Sequence, residues 1–318
     1  MMGRHVAGDV PEMDRLVADS IRAIGAEIDA VHVPKLLGVV LGGGYGRGEG
    51  GVAILPDGSQ HLSNDLDFYL VVADGSSAAE MESASCALEP IARRWSERLG
   101  IDVDFCPPKT PWRIRHDQER LMIQELLHGY FDVAGQKGDE LFKNVERRDP
   151  SAFPWTEAVR LLVNRGAGLI LARTSADPQF VVRNVNKCVL GAGDAILIAR
   201  GGYLWRAEDR AAALGQPLYA DAVAWKFRPR AEGVCGWEKA REMWLAAARE
   251  VMETGRRTGA ARRSFYQTAR WIVRRRTLGQ LSTLGQGPVV RILQQMIGVI
   301  EAREPFPRSL EMDWKIFN

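Results

Sequence analysis

Apolar residues recur through residues 10–30 at helical spacing. Leu16, Ile21, Ile24 and Ile28 share one stripe while Asp14, Arg15, Arg22 and Glu27 lie elsewhere, which predicts an amphipathic helix covering a sheet. His32-Val33-Pro34-Lys35 breaks that pattern, and the unbroken apolar run 36–41 reads as a first buried strand. Pro56-Asp57-Gly58-Ser59, flanked by Ala53-Ile54-Leu55 and Gln60-His61-Leu62, predicts a hairpin. Asp65-Leu66-Asp67-Phe68 then alternates polar and apolar positions, and Leu70-Val71-Val72 continues the strand. After the turn Asp74-Gly75-Ser76-Ser77, residues 78–99 have helical spacing, with Met81, Leu88, Ile91, Ala92 and Trp95 inside and Gly100 as the stop. Residues 101–105 alternate again, placing Asp102 and Asp104 on one face, and Pro107-Pro108 is expected to end that strand. Residues 113–129 mix charged and apolar positions in a helical manner. Beyond Asp149-Pro150 and Phe153-Pro154 the texture changes to long helical patterns, notably 161–163, 169–171, 181–200 and 223–255. The expected organisation is an α/β (α+β) domain with a mixed sheet over residues 1–150, followed by a helical domain over 151–318.

Composition narrows the class little. The chain has 318 residues, 46% hydrophobic and 26% charged, and a formal charge of +2, so charge alone does not imply nucleic acid binding. Cys86, Cys106, Cys188 and Cys235 are scattered with no Cys-x-x-Cys spacing, so neither a zinc site nor a disulfide framework is indicated. The opening residues lack the apolar centre of a signal peptide, and no apolar run approaches membrane-spanning length. The expectation is a cytoplasmic protein with reduced thiols and no membrane contact.

The candidate chemistry is concentrated in residues 39–68. An apolar strand runs into Gly42-Gly43-Gly44-Tyr45-Gly46-Arg47-Gly48-Glu49-Gly50, and Asp65 and Asp67 follow on one strand face. Glycines let the backbone approach a phosphate with its N–H groups. Paired carboxylates repel each other unless solvent or a divalent cation relieves them, and hard oxygen donors suit Mg²⁺ with substrate phosphates. Gly46-x-Gly48-x-x-Gly51 matches a dinucleotide fingerprint, but Val52-Ala53-Ile54-Leu55-Pro56 follows where that fingerprint needs a helix. A kinase glycine loop also fails, because Val-Ala-Ile-Lys, His-Arg-Asp and Asp-Phe-Gly are all missing.

With these residues in view, the stretch resembles the nucleotidyltransferase superfamily that includes DNA polymerase β and the antibiotic nucleotidyltransferases. Gly43-Gly44 matches its glycine element, Tyr45-Gly46-Arg47-Gly48 looks like the segment that follows, and Asp65-Leu66-Asp67-Phe68 matches its carboxylate element. The gap between Gly44 and Asp65 is longer than is usual there, consistent with an inserted hairpin. The resemblance implies a polymerase β-like nucleotidyltransferase core and a helical second domain closing its cleft. It implies a nucleoside triphosphate substrate, with ATP the expected one, and two Mg²⁺ ions held by Asp65, Asp67 and a third carboxylate. Asp104 is the first choice for that third position and Asp102 the second. Gly43 and Gly44 would cradle phosphates. Arg47 would add charge there or be tied to a structural carboxylate. Lys187 would reach the phosphates or snorkel at the surface.

The acceptor stays open between a small molecule, a protein and RNA. A catalytically silent nucleotide-binding or partner-binding protein is the rival reading. Glu125-Leu126-Leu127-His128-Gly129-Tyr130-Phe131-Asp132-Val133-Ala134-Gly135 resembles a late strand segment of the antibiotic type, with His128 structural. Trp225, Trp237 and Trp244 are placed in the core. Residues 256–276 carry Arg256, Arg257, Arg262, Arg263, Arg270, Arg274, Arg275 and Arg276 interleaved with Phe265, Tyr266 and Trp271. That is either a basic helix for RNA, a solvated face, or a patch for smaller anions.

Overall fold

The apolar run Leu36–Leu41 (β1) and the alternating Leu66–Val72 (β4) pair antiparallel, with Leu41 opposite Phe68. A computed structural model of the chain describes residues 5–259 and 288–317. Two compact units divide it: Met1–Arg148 together with Lys226–Arg230, and Asp149–Trp225 together with Ala231–Asn318.

The first unit is a mixed α/β structure. Its four-stranded sheet has the order β5-β4-β1-β6, where β5 is Val103–Lys109 and β6 is Phe131–Gly135. β4 and β5 run parallel, while β6 is antiparallel to β1. One face packs on α1 (Pro11–Asp29) and α3 (Ala78–Leu99) through Ile21, Ile24, Ile28, Leu66, Phe68, Leu88, Ile91, Trp95 and Val103. The other face is apolar only where α4 (Pro111–His116) and α5 (Leu121–His128) cover it, around Val40, Val71, Ile114, Ile123 and Leu126. The polar half of that face carries Asp67. A separate hairpin, β2 (Val52–Ile54) with β3 (Gln60–Leu62), fills the interval between the glycine run and β4. A four-residue helix, α2 (Gly43–Gly46), follows β1, and another, α6 (Gly138–Leu141), follows β6.

Four sequence expectations need correction. Leu16 is exposed at 39% and Val17 takes the inner position on α1. Pro107-Pro108 does not end β5: the strand continues to Lys109 because it lies at the sheet edge, where a missing N–H costs no ladder bond. Within residues 125–135 the strand begins only at Phe131, since Leu121–His128 is helix. The pattern 223–255 is interrupted between Phe227 and Trp237, where Pro229, Gly233 and Gly236 stand.

The second unit is helical among its described residues. It comprises α7 (Trp155–Thr174), α8 (Pro178–Arg200), α9 (Ala207–Leu214), most of α10 (Pro217–Phe227), α11 (Trp237–Arg257), α12 (Pro288–Ala302) and α13 (Arg308–Phe317). Trp244 is fully buried against Gly166 and donates its indole N–H to the Leu162 carbonyl at 3.0 Å. A buried Arg210 binds Asp194 at 2.8 Å, and Tyr219 donates to the same carboxylate. Of the arginine-rich stretch 256–276, residues beyond Gly259 lie outside the described residues. No helix among the described residues is long and apolar enough to cross a membrane, and no disulfide joins the four cysteines.

Candidate functional site

β1 ends at Leu41 and the chain turns sharply into α2. The turn is held by the Gly42 N–H, which donates to the Asp67 carbonyl at 2.9 Å. Gly43 has φ +63°, a conformation that L side chains rarely adopt, and a Cβ there would collide with Asp67 Oδ2. The Asp67 carboxylate therefore stands directly against the opening of α2. The first-turn N–H groups of Gly43, Gly44 and Tyr45 have no acceptor inside so short a helix.

The remainder of the glycine run is tied down from several sides. Tyr45 is fully buried; its hydroxyl donates to the Gly51 carbonyl at 2.9 Å and accepts from the Ser63 N–H at 3.3 Å. Burial pushes that phenol up to about 12. The Glu49 N–H donates to the Gly44 carbonyl at 2.8 Å, and the Gly51 N–H donates to Asn64 Oδ1, one residue before the first carboxylate. Of the two roles expected for Arg47, the geometry shows the tie to carboxylates: its guanidinium lies 3.7 Å from Glu49 and 3.5 Å from Glu125. Glu49 is also paired with Lys226 at 2.7 Å, with both side chains largely buried.

The carboxylates are arranged by strand register. Asp65 is half-buried and sits one residue before β4. Asp67 is in β4 and its register partner across the parallel ladder is Asp104. Their neighbours Phe68 and Phe105 are likewise in register and meet in the core with ring centroids 5.2 Å apart. Alternation then sends Asp67 and Asp104 to the opposite, polar face. Cys106 lies on that face too. Its thiol is pushed up to about 12, first by burial and then by the Asp67 carboxylate, with Asp104 adding and Lys109 opposing. Asp102 is exposed before β5 begins, and its carbonyl accepts the Leu66 N–H at 2.9 Å. His128 is the exposed last residue of α5. Lys187 is half-buried on α8, in the second unit.

Among the described residues, no three His, Cys, Asp or Glu side chains are assembled as a metal-binding group. The donor chemistry still fits Mg²⁺, which needs only one or two protein carboxylates beside substrate phosphates and water. Asp67 and Asp104 stand in register on adjacent strands, and a carboxylate pair of that kind would meet this requirement.

Sequence reasoning missed Tyr45, Glu49, Asn64, Glu125 and Lys226. A tyrosine inside a glycine run, and an asparagine just before a carboxylate pair, were the visible signals for Tyr45 and Asn64. Nothing in local spacing links Glu49 to a lysine 177 positions away. No protein-family model matches the chain, and no curated protein matches it.

Proposed function

We propose that the first unit is a metal-dependent nucleotidyltransferase of polymerase β-like fold. It would move a nucleoside monophosphate from a nucleoside triphosphate to an acceptor hydroxyl. What carries the reading is one juxtaposition: the Asp67 carboxylate stands against the Cβ-less Gly43 at the start of α2, with Asp104 beside it in register. A triphosphate laid along Gly43 and Gly44 would find backbone N–H donors on one side and carboxylates on the other. The acceptor oxygen attacks the α-phosphorus, the bond to the bridging oxygen breaks, and pyrophosphate departs with that electron pair. Asp104, the more exposed of the pair, faces the acceptor and takes the hydroxyl proton. Asp65 and Asp67 fix the triphosphate side. Magnesium, when bound by these carboxylates, would supply charge neutralisation at the transferring phosphate. Arg47 keeps the glycine run in shape through Glu49 and Glu125.

The test is pyrophosphate release from ATP, with and without Mg²⁺, alongside labelled-nucleotide transfer to components of a cell extract. Asp67→Ala is expected to lose about a thousandfold in turnover, the equivalent of roughly 4 kcal/mol of transition-state stabilisation. Asp104→Asn is expected to lose turnover while binding Mg–ATP within severalfold of the parent, and Asp102→Asn to have the milder effect. If Asp67→Ala melts like the parent and still turns over ATP, the reading is wrong. If the parent binds Mg–ATP but labels no acceptor, the catalytically silent nucleotide-binding protein replaces it.

A further inference from the structure

β5 ends at Lys109, opposite Val71 across the ladder, and the chain passes through the Thr110 cap into α4. Lys109 is half-buried, and among the described residues it has no carboxylate within the 4.0 Å of an ion pair. Its charged neighbours are Arg113, Arg120 and Asp117. Asp117 is already engaged: Arg113 Nε lies 2.6 Å from one of its oxygens and Arg120 Nε 3.9 Å from the other. The two arginines therefore share one carboxylate, and Lys109 stands beside them without an ion pair among the described residues. Burial pushes the Lys109 ammonium below the usual lysine range, against Asp117 and with the two guanidiniums. Partly desolvating a cation that has no ion-pair partner carries a cost, which a bound anion would offset.

We infer that Lys109, flanked by Arg113 and Arg120, is an anion subsite that takes a phosphate group and lies on the same strand as Asp104. Cys106 lies between them on β5, opposite Tyr69 in the ladder. Along β5, Asp104 and Lys109 are separated by about 16 Å of backbone at the usual rise, and a lysine stem shortens that gap. The phosphate would belong either to a polyphosphate chain or to an acceptor bearing its own phosphate. The inference rests on the nucleotidyl-transfer reading only for what the phosphate belongs to.

Binding to the full-length protein decides it. The probes are inorganic tripolyphosphate, Mg–ATP, AMP, and inorganic phosphate added over a saturating non-hydrolysable ATP analogue. Lys109→Met keeps the apolar stem, and Lys109→Gln serves if that variant fails to fold. Either is expected to weaken tripolyphosphate about tenfold or more, as for loss of a charge-assisted hydrogen bond. Lys109→Arg is expected to restore most of the affinity.

A parallel loss of Mg–ATP affinity with AMP unchanged assigns the subsite to the nucleotide's own phosphates. Unchanged Mg–ATP with weakened inorganic phosphate assigns it to the acceptor. The inference is overturned if the parent binds neither tripolyphosphate nor phosphate, or if the Lys109 variants bind them as tightly as the parent. Asp67→Ala separates the two proposals. Retained turnover in that variant removes the transfer reading but leaves the tripolyphosphate result standing. Lost turnover with anion binding indifferent to Lys109 removes the subsite alone.

Discussion

Gly43 meets two demands at once, one of backbone conformation and one of space. Its φ of +63° would cost an L residue about 1–2 kcal/mol, and the Cβ would also strike Asp67 Oδ2. Gly43→Ala is therefore expected to lower stability by at least that amount and to weaken Mg–ATP binding. Gly44→Ala, with φ negative and its nearest contact at 3.4 Å, is expected to be far milder. Chemical denaturation and nucleotide titration of the pair check this; equal effects at the two positions would show that Gly43 is not the point of closest approach. The motif residues were legible because glycine and paired aspartates are unusual where they stand. The residues that hold the run were not. The sequence leaves Arg47 open between a phosphate and a structural carboxylate; Glu49 lies two residues along the chain, but Glu125 is brought to it only by the fold, from α5.

α3 shows how one element's ends are set. Ser77 accepts the Glu80 N–H while the Glu80 carboxylate accepts the Ser77 N–H at 2.7 Å, a capping box. Gly100 closes the helix in the left-handed conformation that the sequence pattern led one to expect. The box itself was present in Ser77-x-x-Glu80 and unread. The Ser77 N–H holds the Glu80 carboxyl down at about 2, with Lys35 and the Ser77 hydroxyl adding to the effect. A depressed acid stabilises the fold above its unfolded pKa, and that contribution is lost as pH falls through the folded value. The contribution from Glu80 is thus complete near neutrality and fades between about 4.5 and 2. Glu80→Gln is expected to flatten the stability–pH curve in that window, and Ser77→Ala to cost about 1 kcal/mol at neutral pH. Thermal melts across pH 2–6 would reveal a curve identical to the parent's if the carboxylate plays no such part. β5 taught the opposite lesson from α3: its two prolines read as a stop only while its place at the sheet edge was unknown. That place is set by pairing with β4, a contact between segments some forty residues apart along the chain.

On the scale of the whole chain, hydrophobic periodicity revealed the change from mixed α/β to helical texture, because periodicity is a local property. The excursion Lys226–Arg230 carries no such mark. Those residues belong to the first unit although the helical sequence surrounds them, and Lys226 supplies the partner of a largely buried Glu49. The consequence appears during synthesis. A growing chain can bury the apolar faces of β1, β4, α1 and α3 soon after Arg148 is made, but Glu49 then lacks its lysine. At about 5–20 residues per second, the ribosome needs on the order of 4–15 s to carry translation from Arg148 to Lys226. Nascent chains stalled shortly after residue 148 are expected to be cut within the glycine run by a protease. Chains long enough to release residue 230 from the exit tunnel are expected to resist it, and Lys226→Met chains of that length to remain susceptible. Equal protection in all three would mean that the unit is finished before its last piece arrives. Otherwise, the glycine run matures late, after much of the helical sequence has already left the ribosome.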